Sequence, residues 1–147
     1  MSVGRILRGV ALAAAFSAVA STHASAQDEM LRLGLCYDLS NGMTFVGPQM
    51  AQAGQDLAAL TNLKGGIDGH KIEIVLQDHG NAPQRGIECY EKLKREGVFI
   101  FDMHSTPVSI AVLPRAMKDE NILIQGFVGR GDAVDGSVFK WVFPQSP

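Results

Sequence analysis

The chain has 147 residues, 46% of them hydrophobic and 19% charged, with 13 lysines and arginines against 15 aspartates and glutamates. That length is enough for one domain with one core. The acidic balance excludes a nucleic-acid partner, because a phosphate-binding surface needs the opposite sign, and the one basic cluster, Lys92 to Glu96, reads as the solvated face of a helix.

Residues 1–26 read as an export signal and stand outside the fold. Arg5 and Arg8 form a positive start, and Val10 to Ala20 an apolar core of about eleven residues, short of the roughly 20 that a membrane span needs. Ala24-Ser25-Ala26 offers small residues where a signal peptidase reads, which places cleavage after Ala26 and the product in the periplasm. Cys36 and Cys89 then lie where a disulfide is permitted. Bridge geometry is restrictive, so two buried thiols are the expected state.

From residue 27 onward apolar runs alternate with turn residues. Leu31 to Tyr37 reads as a strand, residues 38–42 as a polar loop, and Pro48 to Lys64 as a helix stopped by Gly65-Gly66. Lys71 to Gln77 alternates apolar and polar like a strand near a sheet edge. Asn81 is the expected cap, and Pro83 the first turn, of a helix running to Glu96 with Gly97 as its stop. Val98 to Met103 is continuously apolar, hence a central strand, and Thr106-Pro107 starts a third helix ending near Glu120. Pro114 should kink or shorten that helix. Ile122 to Phe127 and Val138 to Phe143 supply a fourth and fifth strand. Strand and helix alternating in this way predict an α/β fold, a three-layer parallel sheet flanked by helices.

Ligands of such sheets collect outside the carboxyl ends of the strands, here the loops 38–47, 78–81, 104–107 and 126–132. Asp102, His104 and Ser105 are the residue types of a hydrolase triad. They are nearly adjacent in sequence, however, and no G-x-S-x-G elbow accompanies them, so they read as a strand-end polar cluster. His70, Asp78, His79 and His104 lack metal-ligand spacing and read as exposed loop residues. The stretch His104-Ser105-Thr106-Pro107 has two readings. A hydroxyl and a proline are what a helix start requires, while the free amides and hydroxyls of the same turn suit a carboxylate.

Several motifs in order then resemble a known family. LTNLKGGIDGHKIEIVLQDHGNAPQRGIECYEKL (60–93), MHSTPVS (103–109), ENILIQGF (120–127) and FKWVFPQSP (139–147) look like the amino-terminal part of a type I periplasmic substrate-binding protein of ABC importers, the class that includes the branched-chain amino acid binders. The resemblance implies two α/β lobes closing on a small ligand by a hinge, a permease partner in the inner membrane, and neither cofactor, metal nor catalysis. It implies that Ser105 and Thr106 hold the ligand carboxylate, that Val128 and Arg130 contribute from the turn after the fourth strand, and that Tyr37 and Phe45 form side walls. Where the family often has Ser-Gly-Pro in its first loop, this chain has Tyr37-Asp38-Leu39-Ser40. Arg130 replaces a small hydroxyl residue; it either grips a dicarboxylate or aromatic acid or points to solvent. Family members run to well over twice this length, so residues 27–147 are expected to form an incomplete first lobe without the second. An exported single-domain sensor or hydrolase, and a gene fragment without function, are the alternatives.

Overall fold

The computed structural model describes residues 30–125 and 131–145. In chain order these form β1 (Leu31–Tyr37), α1 (Gly47–Leu63), β2 (Ile72–Asp78), α2 (Pro83–Arg95), β3 (Ile100–Met103), α3 (Thr106–Asp119) and β4 (Ile122–Gln125). A 3-10 turn at Gly131–Val134 then leads to β5 (Val142–Pro144). The strands form one parallel sheet in the order β2-β1-β3-β4-β5, with Tyr37 level with Asp78 and Cys36 level with Met103. The alternating strand thus lies at the edge and the continuously apolar one at the centre, as the sequence pattern requires.

Side chains alternate across the sheet and divide the core in two. On one face Leu35 and Tyr37 meet Ala51 of α1, with Ile74 and Leu76 of β2 beside them. On the other, Cys36, Phe101, Met103 and Leu123 pack against Cys89, Tyr90 and Leu93 of α2 and Val108, Val112 and Ala116 of α3. Fully burying side chains of this size stabilises the fold by roughly 1.5–3 kcal/mol each. Three glycines allow the closest approaches: a Cβ on Gly86 would collide with Val108 between α2 and α3, one on Gly47 with the backbone carbonyl of Asp38, and one on Gly66 with that of His70.

The structure corrects four expectations. Cys36 and Cys89 are joined in a disulfide, their Cα atoms 6.4 Å apart, because β1 and α2 bring together two positions distant in sequence. Pro114 does not end α3, which continues to Asp119. Proline here frees the carbonyl of Ile110, and both residues are exposed, on the side of the helix open to solvent. Asn81 does not cap α2; Ala82 holds that position without a side-chain bond, and Asn81 adopts a left-handed φ of 56°. Finally, β5 is shorter and later than expected, because Asp135 accepts hydrogen bonds from the amides of Ser137, Val138 and Phe139 and holds that stretch in a turn.

Candidate functional site at the carboxyl edge of the sheet

β1 has β2 on one side and β3 on the other, so the chain reverses its direction of travel across the sheet between β1 and β3. A crevice opens at the carboxyl ends of strands at such a switch point. The buried polar residues of the described chain, Asp38, His79, His104, Ser105, Ser109 and Gln125, all lie at this edge. Buried polar groups are costly unless partnered, so gathering them at one end marks that end as more than core.

The first two loops are organised by carboxylates. Asp38, at the end of β1, accepts hydrogen bonds from the amides of Ser40, Asn41 and Met43. Asp78, at the end of β2, accepts from the Leu39 and Gly80 amides, the Ser40 hydroxyl and Arg85. Burial acts to raise the Asp78 pKa, but those hydrogen bonds outweigh it and hold the carboxyl well below the usual range. The signal for both was present in the sequence as aspartates opening turns at strand ends. Their targets across the sheet were not.

His79 and His104 are fully buried, contrary to the expectation of exposed loop residues. His79 Nδ1 accepts from the Asn81 amide at 2.9 Å, which places the proton of the neutral ring on Nε2. Burial depresses its pKa against the opposing pull of Asp38 and Asp78, and burial depresses His104 likewise. The His104 ring lies 5.3 Å from that of Tyr37.

Ser105 is the residue that caps α3: its Oγ accepts from the Val108 amide at 3.5 Å and donates to Asn81 Oδ1 at 2.6 Å. Thr106 and Pro107 occupy the first helical turn. Asn81, missed as a site residue, thus ties the β2–α2 turn to the start of α3. Tyr37 is buried, with its hydroxyl donating to Asp102 Oδ2 at 2.8 Å. Burial raises the pKa of Asp102 against that hydrogen bond, and burial with the nearby Asp102 charge raises that of Tyr37. Phe45 is 73% exposed in the loop before α1. The structure therefore brings Tyr37, His104, Ser105 and Thr106 together, while Phe45 projects outward and Val128 and Arg130 lie outside the described residues. Ser105 directs its proton to an amide oxygen, which is not a base of the kind a hydrolytic nucleophile requires. Among the described residues no group of three His, Cys, Asp or Glu side chains is placed to hold a metal ion.

A parallel α/β sheet with its polar groups gathered at the switch point has the architecture of a ligand-collecting lobe. The profile of the periplasmic binding protein family matches residues 30–147, and the chain belongs to that family. Solved structures agree in fold. A protein described as an ABC transporter permease from the Pseudomonas fluorescens group shares 27% identity at a TM-score of 0.70, over 79% of this chain and 29% of its own. A fatty acid ABC transporter substrate-binding protein from Thermomonospora curvata shares 30% identity at a TM-score of 0.64, over 67% of this chain and 25% of its own. A branched-chain amino acid transporter substrate-binding protein from Streptococcus pneumoniae, in complex with isoleucine, shares 21% at a TM-score of 0.68, over 80% and 34%. The chain thus spans about a third or less of the length of these structures. No curated protein sequence matches it.

Proposed function

We propose that this chain is an exported solute-binding component of an ABC importer, in which the lobe described above forms one wall of a cleft for a small carboxylate ligand of the amino acid type. Its role is recognition and delivery to an inner-membrane permease, with no bond broken and no cofactor. Residues 1–26 act as the signal peptide that takes it to the periplasm. The observation that carries this reading is the start of α3 at the switch point, where Ser105 and Thr106 stand beside Tyr37 and His104. A helix start supplies amides and a favourable dipole for an anion. For Ser105 to donate to a ligand carboxylate, its proton must turn from Asn81 to the ligand. Phe45 closes on the ligand by turning inward from its exposed position, Val128 and Arg130 complete the site, and Arg130 favours a second acidic or an aromatic group. The relatives that carry isoleucine or a fatty acid name are consistent with a carboxylate as the common element.

The test is a thermal-shift and calorimetric screen of the exported chain against branched-chain amino acids, aromatic acids, dicarboxylates and fatty acids, repeated with Ser105→Ala/Thr106→Ala. Stabilisation by one class, lost in the double variant, is expected. Stabilisation that survives the double variant removes the α3 start from the site, and no response to any carboxylate overturns the ligand class.

A further inference from the structure

Toward its carboxyl end the outer face of α1 carries leucines where a solvated helix should be polar, while Gln49, Gln52, Gln55 and Asp56 are exposed nearer its start. Ala51 and Ala58 are buried and Gly54 lies against Leu35, which fixes the inner side of the helix. On the opposite side Leu57, Leu60 and Leu63 are 65%, 48% and 86% exposed, and Ile67, just past the helix end, is 49% exposed. Ala53, Leu57, Leu60 and Lys64 follow one another at intervals of four, three and four residues, the spacing of a helix seam. Between residues 47 and 64 the only charges are Asp56 and Lys64, and both are exposed.

We propose that this face pairs with the same face of a second copy, antiparallel about a two-fold axis at Leu60. A two-fold pairing is self-complementary: a residue that meets a given partner residue is met by its own equivalent in return. Centring the axis on Leu60 sets Leu60 against Leu60 once, and Leu57 against Leu63, Ala53 against Ile67, and Asp56 against Lys64 twice each. The two charges of the helix are therefore matched by opposite charges in this register. A parallel pairing would set Asp56 against Asp56 and Lys64 against Lys64, which charge repulsion opposes. Gln52 donates to one oxygen of Asp56 at 2.8 Å, leaving the second oxygen for the lysine of the other copy.

The position of α1 makes this pairing compatible with an open cleft. The helix starts beside the carboxyl end of β1 and runs back, so Leu60 and Leu63 lie toward the amino edge of the sheet, far from Ser105. One helix face is smaller than the roughly 800 Å² per partner of standard interfaces, so the dimer should dissociate on dilution.

Sedimentation of the disulfide-bonded chain over a range of concentrations tests this. The wild-type chain should show a reversible monomer–dimer equilibrium, and Leu60→Lys should weaken it by about tenfold or more, because a leucine from each copy is lost from the axis. Asp56→Lys should weaken it, and Asp56→Lys/Lys64→Asp should restore it. Leu60→Cys should cross-link to its own equivalent on mild oxidation, whereas Ala53→Cys should not. These side chains are exposed, so circular dichroism should show the variants folded. A chain that stays monomeric at every concentration, a dimer indifferent to Leu60→Lys, or a charge swap that fails to restore association overturns the proposal.

Discussion

At the scale of single residues, the carboxyl edge depends on groups whose charge state is set by burial. His79 and His104 are held neutral below their ordinary pKa of 6.5. Below that pH the unfolded chain binds protons that the folded chain refuses, so stability is fully present above 6.5 and falls as the pH drops. A melting temperature that declines between pH 7 and pH 5, with a shallower decline in His104→Gln, is the expected outcome of thermal denaturation followed across that range. Asp78 acts further down: its depressed pKa contributes stability present above the ordinary carboxylate value of 3.8 and lost as the pH falls below it. Asp102 has the opposite sign. Its raised pKa favours the folded chain when protonated, and that contribution fades as the pH rises from 3.8.

At the scale of elements, most boundaries follow from local chemistry. β1 was legible to the residue because Leu31 to Tyr37 is apolar between polar neighbours, and α1 because Pro48 opens it and Gly65-Gly66 closes it. What failed depended on partners far away in the chain. Asn81 has the chemistry of a cap, but its side chain serves Ser105, 24 residues on. Nothing in the spacing of Cys36 and Cys89 reveals that β1 and α2 meet. The bridge closes a loop over a sequence separation of 53, and chain-entropy reasoning gives it about 4 kcal/mol. Cys36→Ala/Cys89→Ala should lose up to that amount in urea unfolding, and an unchanged midpoint would leave the bridge without stabilising effect. Where α2 crosses α3, Gly86→Ala should cost about 1–3 kcal/mol, as Val108 has no room for the added methyl group. The same measurement on Gly42→Ala, at an open position, provides the contrast.

At the scale of the whole molecule, the sheet is covered unevenly. α2 and α3 share the face that holds Phe101 and Leu123, while α1 lies over β1 and β2 on the other. Ile100, Ile122 and Ile124 are only partly buried on that second face, and Phe143 is 52% exposed. The fold class was legible because alternation of strand and helix leaves few topologies. The candidate site was legible only as a location. The sequence placed Ser105 and Thr106 at the carboxyl edge of the sheet, where α3 starts, but the buried histidines and the Asn81 link depend on how three loops converge. Among the described residues no helix is long and apolar enough to cross a membrane.

The bridge between Cys36 and Cys89 also encloses two exposed turns, Gly42 to Phe45 and Lys64 to Gly69. A protease that cuts either turn opens the backbone without separating the pieces. In the compartment proposed for this chain, a single cut there would leave one covalent molecule, with the amino-terminal piece still hydrogen-bonded into the sheet through β1. Nicked and intact chains would then have the same mass to within one water, and would part company only under a reductant.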